Sequence, residues 1–445
     1  KKDGTLTALQ LTGTGEVGAY PGNSSAAYQF LDLYKCPNVR IQEESALVNA
    51  GPARPFRAPG FPQASWALEQ IMDALAEKLG MDPVDLRLKN VSMFCQAQGN
   101  LPYTSNALPQ LLTEGAKAFG WAQARSRPRQ SGHILRGAGV ASGMWGSAGG
   151  PPATAIVRYF ADGSVNLNIG AADLGTGTKT VMAMVVAEEL GLPLDRIAVE
   201  NADTGVTQYT GPSGGSKTVI TDSPAVRAAA IDVKSKLLAM AATQLKVPVE
   251  SLTLSGGEIQ GPGGSPKIAV AQLAELATQR VVVGVGARGP NPASKVVRPF
   301  ATHFAEVEVN TRTGEVRVTR MLAAQDSGRV MNLLTFANQV IGGLTMGIGY
   351  GLTEQRVMDE TTGKMANRNW HDYKIPTAKD VPAELTCLPI DPQDHECCTT
   401  SAKGLGEPAT VPAAAAIANA FYNATGVRIT STPMTPAKVL SLLEA

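Results

Sequence analysis

Apolar residues recur at helical spacing in Leu68, Ile71, Met72, Leu75 and Leu79, which predicts a helix over 65–79 ended by Gly80. Alternation marks strands instead. Thr5-Leu6-Thr7-Ala8-Leu9-Gln10-Leu11 reads as one, and 154–159 and 164–169 read as two more around the turn Ala161-Asp162-Gly163. A helix over 179–190 follows, closed by Gly191 with Pro193 beyond, then a strand at 197–200. Further along come a helix over 224–242, a hairpin of 304–309 and 315–320 around Thr313-Gly314, and a helix near 411–421 ended by Gly426. Hairpins and crossovers intermix, which predicts an α+β or mixed α/β fold. The polar stretch Ser126-Arg127-Pro128-Arg129-Gln130-Ser131-Gly132 predicts a linker near 126–134, and hence two lobes, 1–125 and 135–445.

The 445 residues exceed what one core organises, which agrees with more than one lobe. Lys plus Arg is 39 and Asp plus Glu is 38, so no net field favours nucleic acid or an anionic membrane as a partner. No apolar run reaches membrane-spanning length, which sets the expectation of a cytoplasmic protein, or a periplasmic one exported together with a partner. The five cysteines are Cys36, Cys95, Cys387, Cys397 and Cys398. They contain no C-x-x-C, which argues against a disulfide framework, a structural zinc site or an iron–sulfur cluster within this chain. The abrupt opening of Lys1-Lys2-Asp3-Gly4 into a strand sets the expectation of a chain that starts part-way into a domain.

Four Gly- or Pro-rich loops lead into predicted helices. They are 51–62, Leu174-Gly175-Thr176-Gly177-Thr178, Gly211-Pro212-Ser213-Gly214-Gly215-Ser216-Lys217-Thr218, and Lys403-Gly404-Leu405-Gly406-Glu407-Pro408. Glycine permits close backbone approach to a ligand, and a helix start offers N–H groups with partial positive charge. Any one such loop also reads as an ordinary strand-to-helix turn. Taken together, with Thr176, Thr178, Ser216 and Lys217 as further donors, they point to a large anionic ligand.

Two nucleotide motifs are imitated. Gly13-Thr14-Gly15-Glu16-Val17-Gly18 matches G-x-G-x-x-G after a strand, but the following Ala19-Tyr20-Pro21-Gly22-Asn23 does not begin a helix. The 211–218 loop nearly matches a P-loop, yet Ser216 stands where the second Gly belongs. His133, His303, His371 and His395 are scattered, and His395-Glu396-Cys397-Cys398 has no second cluster to complete a metal site. Glu407 differs from the other acids in lying between Gly406 and Pro408 just ahead of an Ala-rich helix. A helix start keeps such a carboxylate ionised while burial raises its pKa, and opposing effects of this kind set a general base.

With these residues in view, the chain resembles the molybdenum hydroxylases of the xanthine dehydrogenase and aldehyde oxidase family. Lys403-Gly404-Leu405-Gly406-Glu407-Pro408 resembles that family's K-x-x-G-E-P segment, and Phe56-Arg57-Ala58-Pro59-Gly60 with Pro62-Gln63 resembles its F-R-x-x-G…P-Q loop. Leu174-Gly175-Thr176-Gly177 is similar to the loop written M-G-Q-G in xanthine dehydrogenases, and Gly214-Gly215-Ser216 to the pterin-side loop. Residues 305–309, 326–330 and 339–343 fit the long hairpin and following helix. Order and spacing hold from near residue 5 to the C-terminus. The upstream G-G-F-G-G motif is missing, Thr176 replaces the xanthine-type Gln, and Pro59 replaces the aromatic that clamps flat heterocycles. Ala58 stands where carbon monoxide dehydrogenases carry a copper-bearing Cys.

The resemblance implies molybdopterin-binding lobes and a catalytic subunit that hydroxylates aldehydes or N-heterocycles with oxygen from water. Glu407 would be the general base, and Arg57 would orient substrate. Ala58, Gly175, Thr176, Gly177, Thr178, Gly214, Gly215, Ser216, Lys217, Lys403, Gly404 and Gly406 would line the cofactor. The pterin dithiolene would hold the molybdenum, with no protein ligand to the metal, and the cytosine dinucleotide form is expected. The [2Fe-2S] cluster and FAD are expected on partner chains, and a further segment or subunit would complete the molybdenum domain. Thr176 and Pro59 point to the bacterial, multi-subunit, aldehyde-oxidising branch. Two other readings stay open at this point: a non-catalytic assembly subunit, and a nucleotide-binding transferase using the 211–218 loop.

Overall fold

In the computed structural model, which describes residues 1–22, 25–126 and 132–444, two four-stranded mixed sheets organise two units. The first unit comprises Lys1–Gly146, Ser294–Pro392 and Leu405–Ala445. Its sheet runs Glu384–Ile390, Val316–Asp326, Phe300–Asn310, Ile134–Met144, parallel between the first two and antiparallel thereafter. The second unit comprises Ser147–Ala293 and Gln393–Gly404. Its sheet runs Val281–Ala287, Thr154–Phe160, Val165–Ile169, Ile197–Asn201, antiparallel except for the last pair. The mixed α/β expectation matches this architecture.

The division into consecutive lobes 1–125 and 135–445 does not match it. Strand Ile134–Met144 pairs along its whole length with Phe300–Asn310, so residues on both sides of the expected linker belong to one unit. Residues 127–131 of that linker lie outside the described residues.

The first unit's sheet is covered by the Ala-rich helix Ala413–Thr425, and glycines in the strand set its distance. A Cβ at Gly139 would stand 2.2 Å from Ala420 N, and one at Gly137 would stand 2.3 Å from Ala420 O. Both are impossible contacts, so helix backbone rests directly on strand backbone. The helix Leu333–Leu352 packs as closely on the segment after Glu407, with Gly343, whose Cβ would meet Ala409 O at 2.4 Å, and with Gly347, 2.1 Å from Ala413 Cβ. These approaches fix the short 3-10 turn Pro408–Thr410 that directly follows Glu407. The second unit repeats the device on its own sheet, where Gly284 and Gly286 would collide with Ala229 O and Ala225 O of the helix Thr218–Leu245.

Three elements depart from the sequence pattern. The first strand is Leu9–Gly18, not 5–11, because the amides before it bond to side chains: Thr5 N–H to Asp3 and Leu6 N–H to Asn90. The G-x-G-x-x-G run therefore lies inside a strand, paired in parallel with Val39–Leu47; Asn23 just beyond is outside the described residues. The helix Phe61–Leu79 begins four residues early and is rotated, with Ile71 45% exposed while Glu69 and Asp73 are fully buried. The helix expected from residue 224 begins at Thr218 and runs through Pro224. Proline has no N–H to give the Ile220 carbonyl, and the Arg288 guanidinium donates to it instead at 2.9 Å.

Candidate active-site residues

Glu407 precedes the turn Pro408–Thr410, whose Thr410 N–H bonds back to the Glu407 carbonyl at 3.0 Å. Its side chain meets the loop 56–60, where the Ala58 N–H donates to Glu407 Oε1 at 3.1 Å. Ala58 is fully buried with φ 62, a left-handed conformation that an L-residue holds only under constraint. Arg57 lies next to it on the same loop. Its Nε donates to the Gly406 carbonyl, one Nη to the Gln339 carbonyl at 2.9 Å, and the other to the Met346 sulfur at 3.4 Å. Burial lowers the Arg57 pKa, and the charge of Glu407 works against that shift. Arg57, Ala58, Gly406 and Glu407 are thus brought together within the first unit.

Tyr350 belongs to the same group, although nothing local in the sequence marked it. Its hydroxyl donates to the Thr410 carbonyl at 2.7 Å, and burial pushes its pKa up to about 12. A neutral phenol therefore anchors the turn behind Glu407 across the ordinary pH range.

The remaining candidate residues lie in the second unit. Three segments converge there: 147–150, 215–221 and 403–404. A Cβ on Gly404 would stand 1.8 Å from Ser216 O and 2.2 Å from Ser147 Oγ, and one on Gly149 would stand 2.8 Å from Thr221 Oγ1. Ser216, where a P-loop needs Gly, nevertheless adopts the left-handed conformation at φ 56. Lys403 is fully buried with its Nζ 3.8 Å from Asp394 Oδ2. Ser147 and Thr221 are 2% and 3% exposed, and their hydroxyls have no hydrogen-bond partner among the described residues. Buried hydroxyls beside a glycine cradle are what a polar, hydrogen-bonding group fits. Neither residue stood out in the sequence; the Gly146-Ser147-Ala148-Gly149-Gly150 run was the available signal for Ser147.

The loop 174–178 is built differently from its sequence reading. Its amides are already bonded to the Asp173 carboxylate: Oδ1 accepts from Gly175, Thr176 and Gly177 at 3.0–3.2 Å, and Oδ2 accepts from Lys179 at 3.1 Å. The hydroxyls of Thr176 and Thr178 lie 3.1 Å apart and bond to each other. The loop adjoins 211–214 through Ser213 Oγ, which accepts from Ala172 N–H at 3.1 Å and donates to the Ala172 carbonyl at 3.0 Å.

Partial burial raises the Asp173 pKa, but the four N–H groups outweigh it and hold the carboxyl below its ordinary value. A depressed folded pKa gives stability that is full above the unfolded value near 4 and is lost as pH falls through the folded one. Asp173→Ala is expected to cost roughly 0.5–2 kcal/mol at pH 7. The gap to wild type in thermal unfolding should close in strong acid. An unchanged gap there would show that the carboxylate charge does not hold the loop.

The histidines do not assemble. His133, His371 and His395 are exposed, and His303 is buried in the strand Phe300–Asn310, where desolvation drives its pKa down to about 3. Among the described residues, no three His, Cys, Asp or Glu side chains group as metal ligands, and no helix is long and apolar enough to cross a membrane.

Comparison with known proteins bears directly on this arrangement. Two family models, each described as a molybdopterin cofactor-binding domain, match residues 114–382 and 1–91. The xanthine dehydrogenase molybdenum-binding subunit of Escherichia coli O157:H7 is 33% identical over 462 aligned residues, covering 98% of this chain and 60% of that protein. The aldehyde oxidoreductase molybdenum-binding subunit of the same organism is 34% identical over 430, covering 96% and 57%. Among solved structures, the Desulfovibrio gigas aldehyde oxidoreductase superposes with a TM-score of 0.78 at 28% identity, covering all of this chain and 48% of that one. The copper- and molybdenum-containing carbon monoxide dehydrogenase shares the fold, with a TM-score of 0.88 at 22% identity, covering 100% and 60%. The chain thus spans about 60% of the length of the relatives named first. With both cofactor-binding models matched in sequence order, the chain belongs to the molybdenum hydroxylase family, in its molybdopterin cofactor-binding part.

Proposed function

We propose that this chain forms part of the catalytic subunit of a multi-subunit aldehyde-oxidising molybdenum hydroxylase, with Glu407 as general base. The observation that carries the reading is the Glu407 carboxylate, held by the Ala58 N–H on the loop that also bears Arg57. The orphaned hydroxyls of Ser147 and Thr221 fit a pterin-type cofactor. Thr176, Thr178, Ser216, Lys217 and Lys403 would supply further donors, and Gly175, Gly177, Gly214, Gly215, Gly404 and Gly406 would give room for close approach. The molybdenum–pterin group, in its cytosine dinucleotide form, supplies the two-electron oxidation chemistry when bound. Glu407 takes the proton from the water-derived nucleophile at a carboxylate oxygen, while Arg57 orients the substrate and stabilises developing negative charge. Electrons leave through an iron–sulfur subunit and a flavin subunit, and a further segment completes the molybdenum domain.

Aldehydes are the favoured substrate class. Pro59 offers no π face to a flat heterocycle, and an aromatic contact is worth roughly 0.5–1.5 kcal/mol beyond the area buried. Thr176 lacks the reach of an amide side chain. In the assembled complex, with molybdenum and pterin quantified in the same preparation, kcat/KM for an aromatic aldehyde should exceed that for hypoxanthine. A higher value for the purine would overturn the substrate class. Absence of molybdenum from a complex containing every partner would overturn the reading as a whole.

A further inference from the structure

Cys397 and Cys398 take no part in the function proposed above. Both lie in the second unit on the loop that leads into Lys403 and Gly404, with their sulfurs 3.8 Å apart and Cys397 donating. Cys397 is 1% exposed, and its single S–H has three acceptors within reach, the Asp394 carbonyl at 3.1 Å, the Ala402 carbonyl at 3.5 Å and the Cys398 sulfur, while Cys398 reaches the Ala402 carbonyl at 3.4 Å. Cys398 is part-exposed and lies 3.3 Å from the Thr400 hydroxyl. It borders a cavity of about 490 Å³ between the 395–399 loop, the helix Thr218–Leu245 and the segment after strand Val281–Ala287.

The charged groups facing this cavity are Arg227 from the helix, Arg288 from the segment, and His395 and Glu396 from the loop. Asp394 and Lys403 form a buried pair behind Cys397. Arg227 is paired with Glu189 at 2.6 Å. Among the described residues Arg288 has no carboxylate partner: its hydrogen bonds go to the carbonyls of Ile220, Gly289 and Pro290 and to Asn291 Oδ1. All of these are neutral acceptors, so its positive charge is not cancelled within its own hydrogen bonds.

We propose that Cys398 is a modification site that exchanges with small anionic disulfides, the cavity receiving the incoming group. The Cys398 thiolate attacks one sulfur of the disulfide, a new sulfur–sulfur bond forms, and the reagent's own bond breaks. The departing thiolate leaves with the electron pair and takes a proton from solvent, so Cys398 is oxidised and the leaving thiol is reduced. The neighbouring Cys397 thiol, assisted by the Thr400 hydroxyl, holds the Cys398 pKa below that of an ordinary thiol against the effect of burial. Closure to a Cys397–Cys398 disulfide is disfavoured. Neighbouring Cα atoms are about 3.8 Å apart across a trans peptide, short of the roughly 4.4–6.8 Å that disulfides span. The mixed disulfide therefore persists, next to the loop that enters the glycine cradle.

The test treats the full chain with oxidised glutathione and follows adduct formation by intact mass and peptide mapping between pH 5 and 9. A single adduct at Cys398 is expected, absent from Cys398→Ser, with adduct formation already measurable at pH 6. An ordinary thiol of pKa about 8.5 would be only about 0.3% thiolate at that pH. Cys397→Ala should move the profile to higher pH, because it removes the donor to Cys398. Neutral 2-hydroxyethyl disulfide should react more slowly than glutathione disulfide. Adducts at Cys36, Cys95 or Cys387 instead, no adduct, or the pH profile of an ordinary thiol would overturn the site. Equal rates for the two disulfides would overturn the anion preference.

Discussion

Replacing Glu407 by Gln is expected to lower kcat/KM by roughly 100- to 10,000-fold while leaving the cofactor content unchanged. The amide keeps the volume of the carboxylate, and its oxygen can still accept from the Ala58 N–H, which donates to the carboxylate at 3.1 Å. Arg57 is held through the Gly406 and Gln339 carbonyls rather than through the Glu407 side chain, so its place is retained. What is lost is the capacity to take a proton, and with it the charge that counteracts the lowering of the Arg57 pKa. Steady-state kinetics on a preparation with measured molybdenum and pterin decides the matter. Wild-type turnover at full cofactor occupancy would remove Glu407 from the role of base. Loss of cofactor alongside activity would instead make it a structural residue of the loop.

Arg87→Met should cost about 3–5 kcal/mol of stability, the largest effect expected away from the chemistry. Arg87 and Glu69 are both fully buried, 2.8 Å apart. The Glu69 carboxylate also accepts from the Tyr34 hydroxyl at 2.8 Å and the Ser142 N–H at 2.7 Å, while a second Arg87 nitrogen donates to the Glu69 carbonyl. Burial opposes the charged form of Arg87, and the attraction of Glu69 more than reverses it, raising its pKa. Removing the guanidinium leaves a carboxylate in the core with neutral donors only. Urea unfolding of the two proteins measures the loss. A difference under about 1 kcal/mol, as for a surface pair, would mean that the pair is not stabilising in place. The network matters for function because the helix Phe61–Leu79 carries Glu69 and directly follows the Arg57–Ala58 loop, and Asn419 of the helix after Glu407 donates to the Glu69 carbonyl at 3.1 Å.

Much of the local structure was legible without coordinates. Gly80, Gly191 and Gly426 end their helices in the left-handed conformation with φ of 64, 63 and 80, as expected of residues without a Cβ at those ends. Both hairpins formed around their expected turns, because alternation and turn chemistry are nearest-neighbour properties. Glu407 stood out as a candidate for a related reason: flanking Gly and Pro set its local backbone just ahead of an Ala-rich helix. The loop 174–178 shows the limit of the same reasoning. Its glycines marked a helix start, but whether its amides were open depended on Asp173, one residue outside the motif as read.

The sequence by itself determined the elements whose causes lie within a turn or two of chain, the mixed α/β class, and the acid that stands apart. Only the tertiary structure decided which distant segments meet. Ala58 and Glu407 are 349 positions apart, strand Ile134–Met144 takes its partner from Phe300–Asn310, and the hydroxyls of Ser147 and Thr221 are orphaned by packing alone. Glu69 and Asp73 illustrate the physical reason. Helical periodicity assigns carboxylates to solvent, because burying an unpaired charge is prohibitive. That assignment reverses once Arg87 and Arg428 arrive from elsewhere in the chain to pair with them, and no pattern internal to one helix contains that information.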